Sequence, residues 1–310
     1  VPFVKKSFNV SEEILAFRFV MNMLGLTQSE AQRHIDRGRI LIGGESMTDK
    51  SAKIYGEIEM VYFEPKSRGE MPLFINKDFM VFEKSSGILV HPKTMETPYS
   101  MLDEIRHHSG THANAVHRID KETSGLLMAS RHKIAEKFLK NSFERGVIQK
   151  SYLAWVDGRV EKGFEVDLPL RVREDYSADK HKVHVHENGK KSRTTFEPLE
   201  YDQGLDTTLL ACYPHTGRTH QIRVHLFHVK HPILGDPIYG TSFDMTTKYL
   251  EDSISTRDRL EETGATRLLL HAHSLKFHYG SDYCLQSKVD FREVKKLICP
   301  KEERRFNFRK

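Results

Sequence analysis

The opening stretch of the chain follows a helical rhythm of hydrophobic positions and then an extended one. Leu15, Phe19, Met23 and Leu24 recur at three- and four-residue intervals, which aligns them on one helix face. Thr27-Gln28-Ser29-Glu30 has capping-box spacing and Gly38 stands where a helix would stop, so a second short helix is expected between them. Ile40, Ile42, Ile54, Ile58, Met60 and Tyr62 then predict short strands. The expected result is a small α/β module over residues 1–64, two helices followed by strands. The next stretch, residues 65–72, is crowded with Pro65, Gly69, Pro72 and charges, which reads as a linker.

Beyond it the pattern alternates between strands and one clear helix. Phe79–Glu83, Gly125–Ala129, Tyr152–Val156, Lys182–His186, Thr208–Tyr213 and Ser274–Tyr279 are the strand candidates. Ile134, Ala135, Phe138, Leu139 and Phe143 make an amphipathic helix closed by Gly146. Asn188-Gly189 between His186 and Lys191 predicts a hairpin. The fold class is therefore α+β, with a large domain over residues 73–297. A basic tail over 298–310 carries Lys301, Arg304, Arg305, Arg309 and Lys310 and is expected to touch RNA or to be disordered.

Composition narrows the class. In 310 residues, 38% hydrophobic and 29% charged content fits a globular protein. No apolar run approaches the ~18 residues of a membrane span. Lys5 and Lys6 are followed by no apolar stretch, so no secretory leader is expected; a start at Val1 is compatible with a missing or processed beginning. Cys212, Cys284 and Cys299 are odd in number and far apart, which argues against a disulfide framework or zinc ribbon and for a reducing, cytoplasmic setting. A net charge of +5 permits a nucleic-acid partner without requiring one. The second helix ends on Arg33, His34, Arg37 and Arg39, and Arg33 and Arg37 are candidate RNA-phosphate contacts; a solvated helix face is the plain alternative.

Three segments carry candidate chemistry. In Val116–Met128 a charged loop holding Arg118 and Asp120 runs straight into a buried strand, although composition alone also fits a surface turn. Lys150 and Tyr152 share one face of a strand start, where a half-buried tyrosine is the commoner outcome. In Pro214–Leu226, His215, Arg218, His220, Gln221, Arg223 and His225 form a run of donors with no nearby acid, which invites an anion. The turn Thr216-Gly217-Arg218 offers backbone N–H groups at a helix start. The HExxH, GxSxG, GxxxxGK[ST] and GxGxxG patterns and Cys/His zinc spacings are absent, so chemistry without metal or cofactor is the simplest expectation.

At these segments the sequence resembles the RluA family of pseudouridine synthases. His117-Arg118-Ile119-Asp120 with Thr123-Ser124-Gly125-Leu126-Leu127 resembles its HRLDxxTSGLLL signature, and Lys150–Ala154 its KxYxA segment. Thr216–His225 is similar to its TGRxHQxRxH segment, and His231–Asp236 and Leu268–Ala272 also match. The resemblance spans about residues 73–292. Ile119 replaces a leucine, and Lys84-Ser85-Ser86-Gly87 stands for KPSG. The N-terminal residues resemble, less closely, a small RNA-binding module shared with a ribosomal protein.

The resemblance implies a mixed, largely antiparallel central sheet and isomerisation of uridine in structured RNA without cofactor. Ribosomal RNA of the large subunit is the expected substrate and tRNA the alternative; a monomer without obligate protein partner is expected. It implies Asp120 as the catalytic carboxylate, by covalent attack or by assisting elimination, Arg223 as its partner and Tyr152 as the ring that stacks on uracil. Arg118 would support the flipped state, with Lys150, Arg218 and His220 as further RNA contacts and His117 orienting the loop. Two other classes remain: a non-catalytic RNA-binding assembly factor, and a glycosidase using a second acid such as Glu122 or Glu197.

Overall fold

A computed structural model describes residues 1–173 and 183–305. The chain forms two compact units. One takes Val1–Met71, His91–Asn114 and Arg131–Lys133, and the other takes Pro72–Val90, Ala115–Ser130 and Ile134–Lys310. Among the described residues no helix is long and apolar enough to cross a membrane.

The first unit opens with a strand, not a helix. Strand β1 (Phe3–Leu15) precedes α1 (Ala16–Leu24) and α2 (Gln28–Asp36), followed by β2 (Ile40–Ile42), β3 (Glu45–Met47) and β4 (Lys53–Phe63). The sheet runs β1-β4-β2-β3, all antiparallel. Strand β1 is hard to see in sequence because Val10 is its one fully buried residue and the register breaks between Val10 and Ile14. Helix α2 starts as its spacing predicts: Glu30 N–H donates to Thr27 Oγ1 at 3.4 Å and Thr27 N–H to Glu30 Oε2 at 3.1 Å. Val20, Ala31, Ile35, Ile40, Ile54, Ile58 and Met60 pack into one apolar core.

Residues 66–68 of the expected linker are held by α3 (Met101–Ser109). Lys66 N–H donates to Asp103 Oδ1 at 2.9 Å, and Glu104 takes Ser67 Oγ at 2.6 Å and the Arg68 N–H at 2.5 Å. The Arg68 guanidinium lies 4.0 Å over the Tyr99 ring. Both carboxylates are buried, so these bonds satisfy charges that would otherwise be costly.

The second unit is α+β around a mixed, mostly antiparallel sheet. Its strands are β5 (Phe74–Ile75), β6 (Phe79–Lys84), β7 (Asn114–Ala115), β8 (Ser124–Ser130), β9 (Gln149–Asp157), β10 (Phe164–Asp167), β11 (Leu170–Val172), β12 (Val183–Val185), β13 (Arg193–Asp202), β14 (Thr207–Pro214), β15 (Leu270–Tyr279) and β16 (Ser281–Gln286). The main path is β10-β13-β14-β9-β15-β8-β6-β5, with β15–β8 its parallel pair. Helices α4 (Lys133–Glu144), α5 (Gln221–His228), α6 (Phe243–Leu250) and α7 (Thr256–Thr263) complete it. The strand expected at Lys182–His186 is β12; Lys182, Arg309 and Lys310 lie outside the described residues.

Two local expectations need correction. Helix α4 buries Ala135 and Leu139 but leaves Ile134 exposed and Phe138 half-exposed against Tyr279. Asn188-Gly189 forms a turn but joins no hairpin of its own. β12 pairs with β11, and Lys190 returns to bridge the same Leu170. A side chain at Gly189 would meet Leu170 N at 2.8 Å, so the glycine permits this wrap. Beyond position 297, Ile298 and Cys299 are core residues and Arg304 pairs with Asp157 at 3.0 Å.

Pairing across the sheet decides where the chemistry gathers. Lys84 faces Gly125, Gly125 faces Ala272, Ala272 faces Tyr152 and Tyr152 faces Cys212. One transverse row therefore brings the entry to β8, the start of β9 and the end of β14 to one end of the sheet.

Candidate active site

Asp120 sits in the loop that feeds β8, and neighbouring backbone is clamped from below. The Lys84 ammonium donates to Ser85 O, Ile88 O and Lys121 O at 2.9, 2.8 and 3.0 Å. Ser86 Oγ donates to Glu122 O at 2.6 Å and Gly87 N–H to Lys121 O at 2.9 Å. Burial pushes the Lys84 amine down to about 7. Three carbonyls nevertheless use all three hydrogens of the ammonium, so the charged form is the one this turn holds. The serine in place of proline at position 85 leaves the turn intact, with Gly87 at φ 87°.

Arg223, on the first turn of α5, is almost wholly buried between two carboxylates. Its Nη1 donates to Asp120 Oδ2 at 3.0 Å, while Nε and Nη2 grip Asp236 at 2.7 and 2.8 Å. Asp236 Oδ1 also accepts the N–H groups of Ile238 and Tyr239 at 2.9 and 3.0 Å, and the guanidinium lies 5.1 Å over the Tyr239 ring. Such a bidentate fork fixes the cation in plane. Burial alone would raise the Asp120 carboxyl, but His220, Arg223 and Arg118 together hold it below its ordinary value. Asp120 is 25% exposed where Arg223 is 3%, so the carboxylate is the member of the pair a ligand can reach.

His220 occupies the left-handed region at φ 54°. Burial, then the Arg223 charge, push its imidazole down to about 4, so at pH 7 it is neutral and Arg223 and Arg118 supply the fixed positive charge on Asp120; His220 adds its own charge only in the acid range where Asp120 itself titrates. Tyr239 Oη accepts the Val183 N–H at 2.8 Å and lies 2.9 Å from His220 Nδ1. Its phenol is held protonated chiefly by burial and donates to Nδ1. The imidazole proton is then on Nε2, 3.7 Å from Asp120 Oδ2.

Asp120, Tyr152 and Arg223 line one cleft of about 360 Å³, together with Arg118, Lys150, Arg218, His220 and Leu270. Burial, then the Asp120 charge, raise the Tyr152 phenol well above its usual value. The ring is therefore a neutral face, not a phenolate. Burial lowers Lys150, whose ammonium reaches Thr216 O at 3.5 Å. Arg118 is exposed at the cleft. Arg218 is exposed, with Nε on Lys191 O at 3.0 Å. His117 Nε2 accepts the Met128 N–H at 3.0 Å while its ring stacks on Phe143 at 4.3 Å; burial takes it down to about 3. Arg33 and Arg37 are exposed residues of the first unit and do not line this cleft.

The donor run after Pro214 is mostly internal wiring, a correction to its reading as an open anion site. Gln221 Oε1 takes the Arg218 N–H at 3.0 Å and Thr216 Oγ1 at 2.7 Å. His225 is bonded to Thr194, Ser192 and Leu168, and His215 to Thr195. The acids that Arg223 needs come from 103 and 13 residues away. Asp236 and Tyr239, which the sequence did not single out, complete the site; the available signal was a run of donors including Arg223 with no acid close by in sequence. The acids considered for a glycosidase are elsewhere. Glu122 is paired with Arg259 at 2.7 Å and Glu197 is exposed on β13, and neither lines the cleft. Among the described residues no three His, Cys, Asp or Glu side chains are grouped as metal ligands.

The fold and cleft define a class: an α+β protein in which an arginine-held carboxylate and an aromatic ring line one cleft. Comparison with known proteins sharpens it. The profile of the RNA pseudouridylate synthase family matches residues 78–228. An "Uncharacterized RNA pseudouridine synthase" of Helicobacter pylori is 36% identical over 291 residues, covering 93% of this chain and 95% of its own. "Ribosomal large subunit pseudouridine synthase D" of Nitrosomonas europaea is 36% identical over 56% of this chain and 51% of its own. "tRNA pseudouridine synthase C" of Haemophilus ducreyi is 32% identical over 66% and 84%. The solved "Human RNA Pseudouridylate Synthase Domain Containing 1" shares the fold, with TM-score 0.59 and 23% identity over 77% of this chain and 91% of its own. The chain belongs to the RNA pseudouridylate synthase family, and it is an isomerase that acts on RNA.

Proposed function

We propose that this enzyme makes pseudouridine in large-subunit ribosomal RNA, with Asp120 as the reacting carboxylate and no cofactor. The observation that carries the reading is Asp120 Oδ2 held 3.0 Å from Arg223 Nη1 in a cleft whose wall includes the Tyr152 ring. The reaction breaks the bond from C1′ of ribose to N1 of uracil and forms one from C1′ to C5. The C5 proton leaves and N1 gains one, so no electron, metal or energy donor is consumed. Covalent attack on the sugar and elimination both need Asp120 ionised, which the Arg223 pair supports. Tyr152 stacks on the extruded base, a contact worth about 1–3 kcal/mol. Its retained proton argues against a phenolate base. Arg118, Lys150 and Arg218 contact the RNA around the cleft, and Arg33 and Arg37 contact phosphates elsewhere. His220 lines the same cleft, with Nε2 3.7 Å from Asp120 Oδ2, and is a further RNA contact there. The name of the Nitrosomonas relative supports ribosomal RNA, and that of the Haemophilus relative makes tRNA the second reading.

The test is tritium release from RNA carrying carbon-5-tritiated uridine. Wild-type protein is expected to release tritium without added metal, and Asp120→Ala to release none while still binding RNA. Normal release by Asp120→Ala would overturn the assignment of that carboxylate. Free uracil as a product would mean hydrolysis instead. Pseudouridine mapping in a deletion strain then assigns the substrate: sites lost from tRNA alone would reject the ribosomal reading.

A further inference from the structure

Arg223 is shared by two acids that stand on separate loops, and a second arginine joins those loops away from the cleft. After Asp236 the chain leaves the sheet, forms α6 and α7, and then returns to start β15. This excursion closes where it opens. Gly235 N–H donates to Thr263 O at 2.7 Å, and Leu269 N–H to Leu234 O at 2.9 Å. Arg259, on the inner side of α7, adds a bond from Nη2 to Gly235 O at 3.0 Å. Both backbone polar groups of the residue before Asp236 are therefore held by α7.

The same Nη2 also donates to Glu122 Oε2 at 2.7 Å, across 137 positions of sequence. Glu122 lies inside the turn that Asp120 begins, which Thr123 N–H closes on Asp120 O at 3.1 Å. Its other oxygen accepts Tyr249 Oη of α6 at 3.2 Å, and the Arg259 guanidinium lies 5.6 Å over the Tyr249 ring. Burial alone would raise the Glu122 carboxyl, but Arg259 and Tyr249 hold it below its ordinary value. The Arg259 and Glu122 side chains are 12% and 9% exposed, and neither lines the cleft. An enclosed ion pair is often no gain in stability over apolar residues of the same volume. What this pair supplies is position. One nitrogen ties a point two residues after Asp120 to a point one residue before Asp236.

We propose that Arg259 is a positioning residue for the isomerisation, setting the separation of the two acid-bearing loops through Glu122 and Gly235 O and so the seat of Arg223 between Asp120 and Asp236. The proposal rests on the reading of Asp120 as the reacting carboxylate. It gives the α6–α7 excursion a part in the chemistry although neither helix reaches the cleft. The charged and titratable groups around Asp120 are Arg118 of its own loop, His220 and Arg223 at the start of α5, Tyr152 of β9, Lys84 of β6 and Tyr239. Loss of Arg259 therefore reaches that carboxyl through the placement of Arg223.

The experiment measures kcat and KM for tritium release from RNA carrying carbon-5-tritiated uridine, as a function of pH. Arg259→Met removes the tie and keeps the stem, but it leaves the Glu122 charge enclosed and unpaired, which threatens the fold. The double variant Glu122→Gln/Arg259→Met removes both charges and leaves an amide oxygen to accept the Tyr249 hydroxyl. In the double variant kcat is expected to fall on the order of 10- to 100-fold with KM within about twofold, the signature of misplaced reacting groups and not of lost binding. Its acid limb should move to higher pH, because an Arg223 drawn away from Asp120 holds that carboxyl down less. Arg257→Gln, which removes an exposed charge on the same helix that pairs with Glu261, is expected to keep the wild-type kcat, KM and acid limb. A lower Tm with wild-type kcat and acid limb in the double variant would mean that the pair only stabilises, and overturns the proposal. A raised KM with unchanged kcat overturns it too, since Arg259 would then serve RNA binding. Release that survives Asp120→Ala would sink the Asp120 reading itself, whereas release that needs Asp120 but ignores the double variant sinks the positioning role alone.

Discussion

At the scale of single residues, the centre of the molecule is one guanidinium shared unequally by two acids. Asp236 takes two of its nitrogens and Asp120 one, so Asp236 both aims Arg223 and cancels part of its charge. Asp236→Asn should leave Arg223 to act on Asp120 with its whole charge and drive that carboxyl further down. The acid limb of the kcat profile is then expected to move to lower pH, and kcat to fall on the order of 10²-fold through misplacement of the pair. An unmoved acid limb with wild-type kcat would show that Asp236 is not part of the machinery. Tyr239→Phe removes the acceptor of the buried Val183 N–H, so a loss of roughly 1–3 kcal/mol in unfolding free energy is expected from denaturant titration. A loss below about 0.5 kcal/mol would mean that the N–H finds another partner. Asp120, Tyr152 and Arg223 were legible because each stands in a dense local motif. Asp236 was quoted in sequence as part of a matching stretch, yet an aspartate after Gly235 reads as a turn. Its role depends on a contact 13 residues away that no local pattern records.

At the scale of elements, the decisive join is between β8 and β15. Gly125 has φ 103°, and a side chain there would meet the backbone N of Ala272 at 2.7 Å and its carbonyl still closer. Backbone on backbone cannot yield as a flexible side chain can. Gly125→Ala is therefore expected to cost at least about 3 kcal/mol, in the range of severe single substitutions. Urea titration measures it, and a cost under about 1 kcal/mol would mean that the parallel pair adjusts freely. Lys84→Met probes the opposite side of the same row. It keeps the buried stem but frees three carbonyls around the Asp120 loop, so tritium release should fall at least about tenfold while RNA affinity stays near wild type, given how steeply rate depends on placement. Unchanged release would show that the loop holds itself. The sequence showed most of the large-unit strands because their buried runs are short and bounded by turns. It did not show β1, whose inward positions are few, nor the path of Asn188-Gly189. Turn chemistry fixes the bend there, but tertiary pairing with Leu170 chooses the partner.

At the scale of the whole molecule, buried neutral histidines set the response to acid. His117 and His271 are pushed down to about 3 and His34, His220 and His225 to about 4, in every case first by burial. His225 and His271 are almost wholly enclosed and bonded to hydroxyls and a carbonyl. Glu83, 3.7 Å from His271, does not outweigh its burial. The sign follows from where the protons go. Between pH 6.5 and about 4 the unfolded chain protonates these imidazoles and the folded chain does not, so stability falls as pH falls through that window. Asp120, lowered in the fold, acts the same way but only below the ordinary carboxyl value of 3.8, so it adds nothing near pH 5. His225 and His271 alone should cost roughly 2–3 kcal/mol each by pH 4.5 at about 1.4 kcal/mol per pKa unit. That is a large share of the roughly 5–15 kcal/mol that holds a typical protein folded. Tm is therefore expected to drop by about 10 °C or more from pH 7 to pH 4.5, with glutamates held low in the fold, Glu30, Glu104 and Glu122 among them, adding to the loss only from about that pH downward. A Tm that stays flat down to pH 5 and falls only below 4 would place the acid sensitivity in the carboxylates and reject the neutral-histidine account.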